Sequence, residues 1–230
     1  MLMRLPFNIE IRGQDVATII NLLFGTLAIL FLIESYSQNI LIAAAFVLIC
    51  VLADGADGIL ARNRGQGSLG FQLDSLADFI SFGLLPSILI YYVVREATGN
   101  RNIFFLIFII SFIYMVCGML RLARYNLTPQ ESIFYGLPIT AGGLIVALYV
   151  LAGLPPVGLL IVTLILAVLM ISEIKYPKIR NAVTQAVIGV LIIVVLILYA
   201  IGTSYSIAAL FLLLLSIAYI LNPLYRGYLR

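Results

Sequence analysis

The stretch Asp54–Asp78 reads DGADGILARNRGQGSLGFQLDSLAD, and it joins two long apolar runs, about 39–61 and 69–94. Four aspartates therefore sit where hydrophobic segments end and begin. A carboxylate in a membrane helix costs on the order of 3 kcal/mol at mid-bilayer by insertion scales, and less near the ends. Four in one short stretch imply a bound cation. Asp54 and Asp57 are three residues apart and share a helix face, while Gly70, Asp74 and Asp78 recur every four residues as a stripe on the next helix. The turn at 63–68 folds the second helix back antiparallel, so both pairs of carboxylates converge at one end of the hairpin.

The rest of the chain supplies the setting. Of 230 residues, 63% are hydrophobic and 10% charged, against about half and about a quarter in a soluble domain. A span needs about 20 apolar residues, and eight runs approach that length: 16–34, 39–61, 69–94, 102–124, 135–153, 156–174, 181–201 and 204–224. The fold expected is an all-α polytopic membrane bundle of about eight transmembrane helices, forming one domain over 1–230. Residues 1–15 mix Arg4, Glu10, Arg12 and Asp15 with Pro6, Phe7, Ile9 and Ile11. They read as an interfacial segment rather than a cleavable signal peptide.

Eleven basic residues fall on one side of these spans (Arg4, Arg12, Arg62, Arg64, Arg121, Arg124, Lys175, Lys178, Arg180, Arg226, Arg230) and two, Arg95 and Arg101, on the other. The positive-inside rule then places both termini and all four aspartates toward the cytoplasm. The chain reads as an integral protein of the cell membrane, with no nucleic-acid partner expected.

There is no histidine, which removes the commonest zinc ligand and the commonest general base. Cys50 and Cys117 lie within apolar runs and read as packed thiols. Four hard oxygen donors favour Mg²⁺, Mn²⁺ or Ca²⁺ over zinc or copper. Two such ions about 4 Å apart can clamp an in-line phosphoryl displacement, and Arg62 beside the turn can partner a diphosphate. The same aspartates can line a cation pathway, and Arg62 can be a topology determinant. Spacing alone leaves phosphoryl chemistry, cation transport and a structural ion-pair network open.

The full pattern, Asp54-x₂-Asp57-Gly58-x₂-Ala61-Arg62-x₇-Gly70-x₃-Asp74-x₃-Asp78, resembles the defining motif of the CDP-alcohol phosphatidyltransferases. That resemblance implies two divalent cations, Mg²⁺ or Mn²⁺, bound by Asp54, Asp57, Asp74 and Asp78, with Asp78 also the general base. It implies that Gly58, Ala61, Arg62 and Gly70 contact the CDP moiety of a CDP-linked lipid, CDP-diacylglycerol or CDP-archaeol. It also implies a homodimer in the membrane. Further stretches resemble the phosphatidylserine synthase branch: Gln72–Gly83 with Pro86, Arg121–Asn126, Phe134–Pro138, Leu169–Ser172 with Lys175–Pro177, and Asp15-x₂-Thr18-x₂-Asn21-x₃-Gly25. The acceptor implied is L-serine.

Serine carries a carboxylate, which needs a cation. Arg121 and Arg124 are three residues apart at the end of the fourth run and share a helix face, and a bidentate contact from either suits a carboxylate. Both are equally placed to anchor on lipid headgroups. Ser81 and Asn126 are candidate neutral contacts to the acceptor. Thr18 and Asn21 are candidates to reach the nucleotide, or else to make an interhelical hydrogen bond. Lys175, Lys178 and Arg180 suit attraction to anionic headgroups, or an acceptor phosphate if the chain is a sister transferase using inositol phosphate or glycerol phosphate. A cation transporter remains the remote alternative.

Overall fold

The computed structural model describes residues 3–5, 9–11, 15–34, 37–64, 68–99, 103–127, 133–177 and 181–228, with side chains described at 15–34, 39–56, 70–99, 103–127, 133–177 and 181–223. Two short strands, β1 (Met3–Leu5) and β2 (Ile9–Ile11), pair antiparallel ahead of the helices. The helical part begins with α1 (Asp15–Ile33) and α2 (Ser37–Arg64). A nearly continuous rod follows: α3 (Ser68–Asp78), a π-helical turn (Phe79–Leu84) and α4 (Leu85–Thr98). Next come α5 (Phe104–Leu127), β3 (Ile133–Tyr135), α6 (Ile139–Leu151), α7 (Pro156–Ile171), β4 (Lys175–Pro177), α8 (Ala182–Ile201) and α9 (Tyr205–Tyr228).

Each of the eight apolar runs carries helix over most of its described length. Among the described residues, six helical segments are long and apolar enough to cross a membrane: 15–33, 39–56, 70–98, 104–127, 182–201 and 205–223. The other two differ from expectation. α6 has 13 residues and α7 has 16, about 20 and about 24 Å at about 1.5 Å per residue, short of the hydrocarbon core's roughly 30 Å. The 135–153 run loses its start because Tyr135 belongs to β3 and α6 begins only at Ile139, and 156–174 loses its end because Ser172 is extended and the chain enters β4. The all-α expectation holds, with two short strand pairs beside the helices. β3 and β4 pair antiparallel, with Phe134 opposite Tyr176 and Tyr135 opposite Lys175.

Burial follows a membrane logic. Along α1 the buried positions are Asp15, Thr18, Asn21, Gly25, Ala28 and Leu32, while Val16, Ile19, Ile20, Leu23 and Leu30 are exposed. Large apolar side chains face outward, and small or polar ones face the neighbouring helices, because lipid offers polar groups no hydrogen-bond partner. α6 is the central helix, buried at Ile139 and at every position from Gly142 to Leu151. At its end Gly153, at φ +67°, turns the chain into Pro155–Pro156, and the Tyr149 hydroxyl donates to the Pro155 carbonyl at 2.9 Å.

The π turn has a local cause. Pro86 lacks the N–H that the Phe82 carbonyl, four residues earlier, would accept in an α-helix. The buried Tyr114 hydroxyl of α5 donates to that carbonyl instead, at 3.0 Å. The turn also presses Ser81 against α1, where only a glycine fits. A Cβ on Gly25 would fall on the Ser81 hydroxyl. Such π insertions often accompany functional sites, and this one begins directly after Asp78.

Candidate active site

Asp54 lies on α2 before the end of the helix, and Asp74 and Asp78 lie one turn apart on α3. One carboxylate oxygen from each comes within 4.8 Å of the other two. Asp78 is 8% exposed, whereas Asp54 and Asp74 are half-buried. Two unit charges 4.8 Å apart repel by about 3.5 kcal/mol at an effective dielectric of about 20. Three carboxylates held this close therefore fit a cation, and an all-oxygen donor set suits a hard divalent ion. Asp57, Gly58, Ala61 and Arg62 belong to α2 by backbone, and their side chains lie outside the described residues. Gly70 is buried one turn before Asp74.

The cluster rests on a polar node centred on Asn21, which is 1% exposed. Its amide donates to Asp78 Oδ1 at 3.4 Å. Its main-chain carbonyl accepts from Ser81 Oγ at 3.2 Å and from Cys50 Sγ at 3.4 Å. One residue of α1 thus ties together α2, the π turn and Asp78. Asn21 touches the aspartate site directly, and Thr18 lies buried one turn earlier on the same face. Ser81, expected to face the acceptor, spends its hydroxyl on α1. Thr140 of α6 donates to Asp54 Oδ2 at 3.4 Å, a contact that its place in an apolar run did not suggest.

Arg121 and Arg124 have separate surroundings. Arg121 is 5% exposed and lies over the rings of Tyr125 and Phe134, at 5.4 and 5.0 Å from their centroids. The charges of Asp78 and Asp54 reach it, and its Nε has no hydrogen-bond partner among the described residues. Arg124 instead donates to four main-chain carbonyls: Tyr135 at 2.6 Å, Ser172 at 3.0 Å, Ile171 at 3.2 Å and Met170 at 3.3 Å. Three of these belong to the C-terminal end of α7, where a cation also meets the negative end of the helix dipole. Gly136 completes the joint. It sits at φ +75°, and a Cβ there would fall on the Met170 carbonyl oxygen and Arg124 Nη2. Asn126 Oδ1 accepts from Ser75 Oγ at 3.1 Å and so links α5 to α3.

Comparison of the sequence with known proteins finds relatives. The family model described as CDP-alcohol phosphatidyltransferase matches residues 15–174. A CDP-diacylglycerol–serine O-phosphatidyltransferase of Methanocaldococcus jannaschii is 34% identical over 171 residues, 74% of this chain and 76% of the relative. An archaetidylserine synthase of Methanothermobacter thermautotrophicus is 36% identical over 170 residues, 72% of this chain and 69% of the relative. A CDP-diacylglycerol–serine O-phosphatidyltransferase of Bacillus subtilis is 34% identical over 166 residues, 71% of this chain and 89% of the relative.

Proposed function

The chain belongs to the CDP-alcohol phosphatidyltransferase family, and from that premise we propose an integral membrane transferase specific for L-serine. It moves a phosphatidyl or archaetidyl group from a CDP-linked lipid to the serine hydroxyl and releases CMP. The observation that carries this reading is the meeting of the Asp54, Asp74 and Asp78 carboxylates within 4.8 Å of one another, with the buried guanidinium of Arg121 in the field of Asp78 and Asp54. The serine-using relatives point to the same acceptor.

Asp54, Asp57, Asp74 and Asp78 would hold two divalent cations, Mg²⁺ or Mn²⁺. When bound, such ions offset the charge of the donor diphosphate and of the departing CMP. Arg62 pairs with the diphosphate, and Gly58, Ala61 and Gly70 leave room for the nucleotide. Asp78 takes the proton of the serine hydroxyl, and Asn21 fixes the rotation of its carboxylate through the bond to Oδ1. The serine oxygen bonds to the lipid-side phosphorus as the bridging P–O bond breaks, and CMP leaves with that electron pair.

Arg121 receives the serine carboxylate. Arg124, Ser81 and Asn126 act one step back, by holding α7, α1 and α3 around the site. Thr18 extends the polar face of α1 toward the nucleotide. The asymmetry of basic residues supports a site open to the cytoplasm, and family resemblance supports a homodimer and a single domain.

The test is CMP release from CDP-diacylglycerol and CDP-archaeol by purified protein with Mn²⁺ or Mg²⁺, comparing L-serine, inositol phosphate and glycerol 3-phosphate. Release with serine alone is expected. Release with a phosphorylated acceptor instead would keep the aspartate site and overturn the serine assignment.

A further inference from the structure

Among the deeply buried polar atoms of the described residues that lack a hydrogen-bond partner, two flank Phe134: Nε of Arg121 and the hydroxyl of Tyr176. Arg121 is 5% exposed and Tyr176 is 0% exposed. Burial of an N–H or a hydroxyl without a hydrogen-bond partner is costly, so native proteins rarely leave such groups orphaned without a use.

Phe134 connects the two groups. The guanidinium of Arg121 lies 5.0 Å from the Phe134 ring centroid. Phe134 stands directly opposite Tyr176 in the β3–β4 pair, so the two side chains share one face of the ribbon. Tyr176 packs on Tyr219 of α9 with centroids 5.9 Å apart, and the charge of Arg121 reaches Tyr219. The Tyr219 hydroxyl is already spent on the Pro177 carbonyl at 3.1 Å. A cation and a phenol thus stand on either side of Phe134, each with an unpartnered polar atom among the described residues. Burial raises the Tyr176 phenol above its ordinary pKa, which keeps it a proton donor.

Resting on the serine-transfer reading, we propose that Tyr176 is an acceptor-specificity residue whose hydroxyl donates to the α-carboxylate that Arg121 pairs with. The acceptor is then gripped between α5 and the β3–β4 pair, with its hydroxyl free to point toward Asp78. An amino alcohol without a carboxylate would leave both buried groups unpaired. Selectivity built this way is strong, because the wrong substrate leaves the site's own polar groups unsatisfied.

The experiment is steady-state CMP release by the full-length enzyme and by Tyr176→Phe, titrating L-serine, L-serinamide and CDP-lipid separately. Loss of one hydrogen bond to a charged group should raise the KM for serine on the order of 10- to 100-fold. The kcat and the KM for CDP-lipid should stay within about twofold, and the preference for serine over serinamide should shrink by the same factor as the KM rises. A purely structural Tyr176 would lower kcat, or disturb both KM values alike. An unchanged serine KM would overturn the inference.

A second arm needs no variant. With wild-type enzyme, 3-hydroxypropanoate should compete with serine and ethanolamine should not; the reverse order would overturn a carboxylate pocket. If wild-type enzyme releases no CMP with serine, the serine-transfer reading itself fails. Wild-type turnover combined with an indifferent Tyr176→Phe variant sinks only the role of Tyr176.

Discussion

Arg124→Lys separates a clamp from a ligand. The native guanidinium reaches four carbonyls, the best of them Tyr135 at 2.6 Å and Ser172 at 3.0 Å, both from Nη2. A lysine keeps the charge near the C-terminal end of α7, but its compact ammonium cannot reproduce the planar fork. Taking the two shortest bonds as lost, with one regained in part, and about 1.5–3 kcal/mol for each bond to a charged group, the cost is about 2–4 kcal/mol. At about 2–4 °C per kcal/mol for a chain of this size, melting should fall by about 5–15 °C. The assay is thermal unfolding of the purified protein in detergent or nanodiscs, alongside serine kinetics on the same preparation. The serine KM should rise with the loss of stability, since β3 carries Phe134 over Arg121. Native melting together with abolished serine saturation would refute the clamp and make Arg124 a direct acceptor ligand.

Other substitutions probe the frame and the chemistry. Gly136→Ala should destabilise by about 2–4 kcal/mol in the same melting assay, because alanine resists a left-handed backbone and its Cβ meets the Met170 carbonyl and Arg124; unchanged melting would show that the turn yields. Tyr114→Phe should cost about 1–3 kcal/mol by orphaning the Phe82 carbonyl, and a loss of activity no larger than the loss of folded protein would show that the π turn does not position Asp78. Asp78→Asn should abolish turnover while sparing much of the CDP-lipid binding, measured by equilibrium binding of the donor. Chelation of divalent ions should stop CMP release and their restoration should recover it; turnover in excess chelator would remove any role for ions at the aspartates.

Much of this was legible from residue spacing. The pattern Asp15, Thr18, Asn21, Gly25, read from the sequence only as a resemblance, is part of the buried face of α1. Of the four carboxylates expected to converge, Asp54, Asp74 and Asp78 do so, and the side chain of Asp57 lies outside the described residues. The strand pair was hidden for a physical reason. Ile133–Tyr135 and Lys175–Pro177 are short, lie about 40 residues apart, and adjoin apolar runs whose hydropathy reads as helix. The division of labour between Arg121 and Arg124 was hidden as well. Both look alike at a helix end, and only the carbonyls delivered by α7 and β3 engage one of them and leave the other among aromatic rings. The π turn has a sequence cause in Pro86, but its partner, the hydroxyl of Tyr114, comes from another helix.

The most direct test of the central claim follows isotope-labelled L-serine into lipid in the presence of CDP-lipid and a divalent ion. The expected result is label in the lipid product, one CMP released per serine incorporated, and loss of both in Asp54→Asn, Asp74→Asn and Asp78→Asn. CMP release without label in the lipid, or near wild-type incorporation by any of the three variants, would contradict it.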